Sequence, residues 1–404
     1  MGRRILLVAQ NFYPEFFKSN DIATELVSRG YEVDVLTGIP NYPEGVFYKG
    51  YGIFRRRVDS YNGAKVYRAY QIPRGAKPGS IRLSLNYLSF VFSTTFWVLF
   101  YFVFKRRYDA IIVHQTSPIT QAWPALLLHA IRRTPIYTWV LDIWPDSVSA
   151  FMSTPRKIVC EPLRWFTNLV YRCSKRILIS SPGFRQLVNR DDNYDDKIID
   201  FPNWCEDMLS MPQTEIPSLP EGFRIMMAGN LSDATGLEGV VEVIKRTAIN
   251  PRIKWIFVGG GNREAWLRET IANEGLTECC SVMGRYPFEC MPSFYNEADV
   301  MFISLKATIY QHLEQTIPAR LQSYIAAGKP IIGMIGEGVT QLVESIGCGV
   351  CVGAGEYDKC AEIVLEIANN PTPIAQWSER AREYYLEHYT KDQCITNLTT
   401  IISG

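Results

Sequence analysis

Residues 224–245 read RIMMAGNLSDATGLEGVVEVIK and change from one hydrophobic pattern to another within a single stretch. Arg224–Ala228 is a short apolar run typical of a buried strand, whereas the apolar residues from Leu237 to Ile244 recur at helical spacing. Gly229 ends the predicted strand, and Gly236 ends the loop before the predicted helix. A strand, a glycine-bearing loop and a helix in this order predict a βαβ unit and therefore a parallel sheet covered by helices.

The same alternation continues on both sides of this stretch. Between the first two strands we predict a helix with Ser19 or Asn20 as its N-cap and Gly30 as its stop. The strands are predicted at Ile5–Ala9, Glu32–Leu36, Lys65–Arg68, Ala110–Val113, Ile136–Val140, Ile177–Ile179, Arg224–Ala228, Lys254–Val258, Ser281–Met283, Val300–Ile303 and Pro330–Met334.

The chain is long enough for two domains, and its composition changes at residues 204–222, which contain several prolines and little periodicity. We interpret that stretch as a linker between a Rossmann-like domain at 1–203 and a second one at 223–376. Ligands of such α/β sheets bind outside the carboxyl ends of the strands, so the two domains are expected to face each other across a cleft. Residues 377–404 are expected to form helices that pack back on the first domain.

The charge is distributed unevenly along the 404 residues. The net charge is +1, but residues 1–190 contain 26 Lys and Arg against 11 Asp and Glu, and residues 191–404 contain 16 against 30. The apolar fraction of 47% excludes a disordered chain. A basic first half suggests contact with an anionic surface or substrate, although two domains of different origin could also differ in this way. We expect no nucleic-acid partner.

The cysteines and the N-terminus favour a cytoplasmic location. Of ten cysteines only Cys348 and Cys351 have metal or redox spacing, and no second pair completes a site. The apolar run after Met1 is too short for a signal peptide and is interpreted as a strand.

Residues 83–104, LSLNYLSFVFSTTFWVLFYFVF, are apolar or aromatic almost throughout and are followed by three basic residues. Three interpretations stay open: a helix buried in the first domain, an interfacial helix with basic flanks, and a transmembrane span. The βαβ units predicted on both sides of this segment disfavour a transmembrane span.

Two segments suggest an anionic ligand. In HLEQTIPARLQSYIAAGKPII (312–332), Pro318 can begin a helix and Arg320 then lies in its first turn, where a cation is unfavourable unless an anion binds there. The loop from Gly229 is a second candidate for phosphate binding at a helix N-terminus. In FVGGGNREAWL (257–267) the third glycine of a dinucleotide fingerprint is replaced by Glu264, which disfavours a nicotinamide enzyme.

Several motifs together resemble the retaining glycosyltransferases of family 4. They are NYPEGVFYKGYG (41–52), HQTSPIT (114–120), LDIWPDS (141–147), AGNL (228–231) and IPARLQSYIAAGKPI (317–331). The family's Glu-x7-Glu motif corresponds to Glu314 and to Gln322, which replaces the second glutamate. The Arg and Lys with which the family holds the diphosphate are replaced by Asn230 and Thr235. With these replacements the sequence resembles a subgroup of L-fucosamine and related amino-sugar transferases.

The resemblance implies the GT-B fold, two facing Rossmann-like domains with parallel sheets. It also implies that His114 and Glu314 act around the transferred sugar. Asp142 and Asp146 follow a predicted strand and could reach the cleft, and Asp142 is the preferred catalytic candidate because it is nearer the strand end. Family members generally need no metal or other cofactor, so the acidic segment RDDNYDDK (190–197) is interpreted as a solvated turn. The implied donor-binding residues are Gly229, Asn230, Thr235, Gly259, Arg285, Tyr286, Pro318, Arg320 and Gln322.

The expected activity is retaining transfer of an N-acetylated amino sugar from a UDP-sugar to a polyprenyl-diphosphate-linked saccharide. The resemblance connects this reaction with O-antigen, colanic acid and capsule assembly, at the inner face of the cytoplasmic membrane with peripheral contact to anionic lipid. Two alternatives stay open: a UDP-sugar 2-epimerase of the same fold, and a non-catalytic component that binds nucleotide sugar or membrane.

Overall fold

The computed structural model describes residues 2–76, 79–149, 157–308 and 310–404. They divide into two compact units, Met1–Phe201 together with Ile395–Gly404, and Pro202–Cys394. Each unit contains its own parallel sheet and its own hydrophobic core. The fold class is therefore α/β, with two Rossmann-like domains.

The first unit is built on an eight-stranded sheet. Its strands are β1 (Arg4–Val8), β2 (Glu32–Gly38), β3 (Val58–Tyr61), β4 (Ala64–Ala69), β5 (Ala110–Gln115), β6 (Ile136–Val140), β7 (Ser174–Ile179) and β8 (Ile198–Asp200). Its helices are α1 (Lys18–Ser28), α2 (Ser80–Phe100), α3 (Trp123–Arg132), α4 (Asp146–Ser149), α5 (Lys157–Cys173) and α6 (Phe184–Val188). The strand order is β3-β4-β2-β1-β5-β6-β7-β8, and only β3 pairs antiparallel with its neighbour.

The second unit is built on six parallel strands in the order β11-β10-β9-β12-β13-β14. These are β9 (Phe223–Ala228), β10 (Ile253–Val258), β11 (Cys280–Gly284), β12 (Val300–Ser304), β13 (Ile331–Met334) and β14 (Gly349–Val352). The helices are α7 (Leu237–Thr247), α8 (Glu264–Asn273), α9 (Met291–Glu297), α10 (Gln311–Glu314), α11 (Ala319–Ala326), α12 (Glu337–Ile346), α13 (Tyr357–Asn369) and α14 (Ile374–Tyr384).

The central strands are buried on both faces, which explains why they read as continuous apolar runs rather than alternating patterns. All eleven predicted strands are present, with ends that differ by a few residues. The sequence did not predict β3, β8 and β14. The sequence of β3, VDSY, is exposed and polar at the edge of the sheet, and β8 has only three residues.

The predicted N-cap of the first helix is wrong. Helix α1 begins at Lys18, after Phe17 in an extended conformation, so Ser19 and Asn20 lie inside it. The amide of Asn20 instead closes the preceding loop. Its oxygen accepts a hydrogen bond from the backbone N–H of Tyr13 at 3.0 Å, and its nitrogen donates to the carbonyl of Glu15 at 2.7 Å.

The last helix, α15 (Lys391–Ser403), crosses the boundary between the units, and only its part from Ile395 belongs to the first one. Arg3 donates to the carbonyl oxygens of Ile402 and Ser403 at 3.3 and 3.2 Å, and Lys175 donates to that of Gly404 at 3.0 Å. The tail therefore completes the first unit, whereas α14 belongs to the second. The stretch predicted as a linker, 204–222, also lies in the second unit.

Candidate functional site

Three loops at the carboxyl edge of the second sheet, where its parallel strands end, are joined by backbone hydrogen bonds. The N–H of Gly229, after β9, donates to Val258 at 2.8 Å, and the N–H of Gly259, after β10, donates to Gly284 at 2.7 Å. The N–H of Leu231 donates to the carbonyl of Gly260 at 2.9 Å. The loops that carry the predicted donor-binding glycines therefore form one continuous backbone surface.

That surface requires glycine at position 259. Gly259 has a φ of +142°, and a Cβ there would lie 1.9 Å from the carbonyl oxygen of Gly229. An L-residue with a side chain fits neither the conformation nor the space. Gly259 thus serves the close approach of two loops.

Helix α11 is fixed over the end of β9 by Tyr324. The buried Tyr324 hydroxyl donates to the carbonyl of Ala228 at 2.7 Å and accepts from the N–H of the same residue at 2.9 Å. Because residues four apart share one face of a helix, this contact also places Arg320 beside the end of the strand. Sequence reasoning treated Tyr324 as an ordinary core residue, since its apolar spacing gave no sign of the hydrogen bonds.

Arg320 lies in the first turn of α11 with its side chain partly buried. Its Nε is 3.8 Å from the point where a Cβ on Gly229 would be, and its Nη2 donates to the carbonyl of Asn230 over a long 3.5 Å. Its Nη1 is buried and has no hydrogen-bond partner among the described residues. A buried guanidinium nitrogen without an acceptor is costly, so this geometry favours an anionic ligand at Arg320.

The two helix N-termini of the predicted anion site differ in charge. Helix α11 begins after Pro318 with no acidic residue in its first turn. Helix α7 has Glu238 in its first turn, and Arg263 forms ion pairs with Glu238 and, at 3.5 Å, with Asp233. The α7 terminus thus already faces carboxylates of the chain. An anion is better accommodated at α11.

The other predicted donor-binding residues of this unit differ in whether their side chains could contact a ligand. Thr235 is fully buried, and its hydroxyl donates to the carbonyl of Ser232, so its side chain is not available to a diphosphate. Gln322 is also buried, but its Nε2 has no hydrogen-bond partner among the described residues. Arg285 is exposed beside Gly260 at the same edge of the sheet. Tyr286 packs its ring against Phe294, with the centroids 4.8 Å apart.

Glu314, at the end of α10, contributes to an open cavity of about 420 Å³ at the carboxyl ends of β12, β13 and β14. The Glu314 carboxylate lies against Gly336, at 2.5 Å from the point where a Cβ on that glycine would be. The size lies within the range of ligand pockets. The lining residues are Ala307, Thr308, Glu314, Ile335, Glu337, Thr340, Gly353 and Ala354.

In the first unit, His114 is the last residue but one of β5, which is buried throughout, and is 2% exposed. Its ring packs edge to face on Trp139, with the centroids 5.3 Å apart, and its Nε2 has no hydrogen-bond partner among the described residues. Burial lowers the pKa of His114 to about 3, so the imidazole is neutral at physiological pH. A neutral ring can donate or accept a hydrogen bond but cannot supply positive charge.

The carboxylate of Asp142 is hydrogen-bonded by two serines, one in its own turn and one in the loop after β5. Its two carboxylate oxygens accept hydrogen bonds from the hydroxyls of Ser117 and Ser147. Asp146 is ion-paired with Arg190, with both oxygens at 2.9 Å from Nη1. The structure thus gives both aspartates a local role, and the predicted action of Asp142 on the sugar finds no support in its geometry.

The acidic segment 190–197 is likewise engaged in surface ion pairs. Asp191 lies 3.9 Å from Arg164, and Asp192 lies 3.1 Å from Arg172. Within the described ranges no group of three or more His, Cys, Asp or Glu side chains is arranged to hold a metal ion.

Sequence reasoning missed Glu15 and Arg74, at the carboxyl edge of the first sheet. One carboxylate oxygen of Glu15 accepts the backbone N–H groups of Asn41 and Tyr42, both at 2.7 Å, while the other is buried without a partner among the described residues. The guanidinium of Arg74 lies 5.2 Å from the ring centroid of Tyr42 and 5.7 Å from that of Tyr87. Burial raises the pKa of Glu15 to about 7, although Arg74 and the backbone donors oppose the shift.

Two family profiles match most of the chain. The Glycosyl transferase 4-like domain matches residues 19–204, and the family Glycosyl transferases group 1 matches residues 214–384. The protein is a glycosyltransferase. The first unit is thus the 4-like domain, and the second unit, with Arg320 and Tyr324, is the group 1 domain.

Relatives of this glycosyltransferase include enzymes named for polysaccharide biosynthesis. The amylovoran biosynthesis glycosyltransferase AmsK of Erwinia amylovora is 24% identical over 160 residues, which span 39% of each chain. A protein named as a colanic acid biosynthesis glycosyl transferase, WcaI of Escherichia coli K12, is 22% identical over 99% of this chain and 100% of its own. At these identities the relatives support polysaccharide biosynthesis but do not define the sugar.

The fold is also found in solved structures. HepE (Alr3699) of Anabaena in complex with UDP has a TM-score of 0.68 and 15% identity, with 100% of both chains covered. The likeness shows the fold of the glycosyltransferase, two Rossmann-like domains of the GT-B type.

We predict that Gly259→Ala destabilises the protein by at least about 2 kcal/mol, because the new Cβ meets the Gly229 carbonyl as well as an unfavourable φ. Urea unfolding followed by intrinsic fluorescence measures the change. Gly275→Ala is the matched control, since Gly275 has a φ of +68° but nothing within 4 Å of its Cβ position. Equal losses in the two variants would contradict the close approach of the loops.

We predict that Glu15→Gln stabilises the protein above pH 7 by up to about 2–3 kcal/mol. With a pKa of 4.5 in the unfolded chain and about 7 in the folded one, the wild type loses stability as the pH rises between these values. Below pH 4.5 Glu15 is protonated in both the folded and the unfolded wild type, and the difference in stability between wild type and variant disappears. Thermal unfolding across this pH range measures it, with the exposed Glu161→Gln as control; a constant difference at all pH values would contradict the assignment.

Proposed function

We propose that the protein is a retaining glycosyltransferase that moves an N-acetylated amino sugar from a UDP-sugar to a polyprenyl-diphosphate-linked saccharide in bacterial surface polysaccharide assembly. The observation that carries this proposal is the unpartnered Nη1 of Arg320 in the first turn of α11, beside the glycine loops. A diphosphate supplies the acceptor atoms that this nitrogen lacks.

A UDP-sugar donor suits the second unit. The solved structure of HepE, which has the same fold, contains UDP. Arg320 and the free N–H groups at the start of α11 would bind the diphosphate, and the unpartnered Nε2 of Gln322 would donate to a ribose hydroxyl. Glu314, in the neighbouring cavity, would accept hydrogen bonds from hydroxyls of the transferred sugar.

The chemistry follows from where charge develops. As the bond between the anomeric carbon and the diphosphate oxygen breaks, negative charge grows on the UDP leaving group. A guanidinium and aligned backbone donors stabilise that charge more in the transition state than in the ground state, and this difference accelerates the reaction. The proposed mechanism uses no metal ion or other cofactor.

The acceptor is assigned to the first unit. The names of AmsK and WcaI refer to the biosynthesis of amylovoran and colanic acid, which supports a saccharide acceptor. The excess of Lys and Arg in the first half suits an acceptor that carries a diphosphate, and Arg74 lies at the carboxyl edge of that unit's sheet. A lipid-linked acceptor would place the protein at the inner face of the cytoplasmic membrane as a peripheral protein.

We predict that Arg320→Ala lowers kcat/KM by about 10²–10³-fold, because one donor to the developing charge is lost. Arg320→Lys keeps the charge without the planar fork and should recover part of the activity. Release of UDP from a UDP-N-acetylamino sugar in the presence of a polyprenyl-diphosphate saccharide measures the reaction. Arg252→Ala is the matched control, because Arg252 is exposed at the amino end of β10.

Near-normal activity of Arg320→Ala would refute the role of this residue. Two further outcomes would overturn the proposed function. Interconversion of UDP-sugars without acceptor would identify an epimerase, and binding of a UDP-sugar with no turnover in the presence of acceptor would identify a non-catalytic component.

A further inference from the structure

Helix α2 and the short turn that follows it expose a continuous apolar stripe. Phe92 and Phe96 are 67% and 63% exposed, and Ile81 and Phe104, at the two ends, are 78% and 79% exposed. Only 22% of the most apolar stretch of this segment is buried, so α2 is not a core helix. Within α2 the exposed members recur every three or four residues along one face, apart from the adjacent Leu99 and Phe100, and Phe104 follows in the turn: Ile81, Leu85, Leu88, Phe92, Phe96, Leu99, Phe100 and Phe104.

The opposite face of α2 is fixed to the sheet. Its buried residues recur every four positions and are Asn86, Phe90, Thr94 and Val98. The side-chain amide of Asn86 donates to the carbonyl of Ile72 at 2.6 Å and accepts from the Nε2 of Gln10 at 2.9 Å. A helix with one face hydrogen-bonded to the loops that follow β1 and β4 cannot cross a bilayer as an isolated span, although its length and composition would suffice.

The part of the sequence that contains the stripe is basic. No Asp or Glu occurs between Asp59 and Asp109, whereas eight Lys and Arg do. Arg82 lies at the start of α2, where its Nε donates to the carbonyl of Pro73 at 2.8 Å. Lys105 and Arg106 follow the end of α2 and are paired with Asp34 at 2.9 Å and with Glu32 at 3.7 Å, so the segment keeps a net positive charge that is smaller than its count of Lys and Arg. An apolar face with a basic surround is complementary to an anionic lipid surface.

We propose that the exposed stripe of α2 is a membrane-docking surface that inserts into the headgroup region of an anionic bilayer. A second copy of the chain is the less favourable occupant, because pairing two such stripes would bring two basic surrounds together. The exposed phenylalanines supply apolar area, and the surrounding Lys and Arg supply attraction to acidic headgroups. The inference deepens the proposed function, since a polyprenyl-linked acceptor lies in such a bilayer, but docking needs neither donor nor acceptor.

Sedimentation with lipid vesicles tests the proposal. The wild type should bind vesicles of phosphatidylcholine with phosphatidylglycerol, bind pure phosphatidylcholine vesicles less, and be partly released by salt. The double variant Phe92→Ser/Phe96→Ser should lower the partition coefficient at least tenfold with an unchanged circular dichroism spectrum. Ile249→Ser, at a residue 79% exposed in the second unit, should bind as the wild type does.

Three results would overturn the inference: no binding of the wild type to anionic vesicles, equal binding of the double variant, or a dimer that the double variant dissociates without any vesicle binding. Transfer to a water-soluble, short-chain acceptor keeps the two proposals separate. If the double variant loses vesicle binding but retains this transfer, docking and catalysis are both supported. If the wild type lacks this transfer, the proposed function fails. The vesicle experiment then still shows whether the stripe of α2 binds membranes.

Discussion

The hydrogen bonds between the Tyr324 hydroxyl and both backbone groups of Ala228 determine where the candidate donor site lies. Ala228 is the last residue of β9, next to the glycine loop, so α11 cannot move along the sheet without breaking two buried hydrogen bonds. Arg320 is four residues before Tyr324 and is therefore held over Gly229. The core thus fixes the backbone that carries the guanidinium. A charged group that is positioned in advance stabilises developing charge more effectively than one that has to be ordered first.

The parts of the fold that the sequence predicted are those in which burial leaves a continuous apolar signal. Ile136–Val140 was predicted without error because all five residues are buried. The N-cap of α1 was wrong because Asn20 bonds a loop seven residues earlier, which a local capping rule does not anticipate. Similarly, Thr235 and Asp142 were candidates by position alone. Thr235 bonds Ser232 within its own turn, whereas Asp142 accepts from Ser147 nearby and from Ser117 in the loop after β5. Neither set of contacts can be recognised from spacing.

The position of Arg320 in the first turn of a helix could be predicted from the sequence, because Pro318 can begin a helix. Its binding of an anion stays a prediction, which follows from the unfavourable position of a cation at a helix N-terminus. Glu15 could not be predicted, since nothing in its neighbourhood of the sequence indicates that its carboxylate is buried against the segment around Asn41. Both residues have a buried polar atom without a partner among the described residues, at the carboxyl edge of a parallel sheet, and so do His114 and Gln322. Such atoms also occur elsewhere, as at Thr134, so an unpartnered atom alone does not mark a site. Several such atoms near strand ends, where α/β sheets bind ligands, together favour a ligand at these edges.

The same reasoning applies to the apolar side of α2. The buried face of α2 already attaches the helix to the first unit, through the side chains of Phe90 and Val98 and the hydrogen bonds of Asn86. A second stripe of large exposed side chains adds nothing to that packing and promotes aggregation unless another apolar phase covers it. The charge near the stripe indicates which kind of partner covers it. A protein partner could match the apolar area with many surfaces. The segment from 60 to 108 contains eight Lys and Arg and no acidic residue, and it stays net positive after Lys105 and Arg106 are paired with Asp34 and Glu32. This charge favours a partner that is both apolar and negatively charged, and an anionic bilayer has both properties over any area the helix presents.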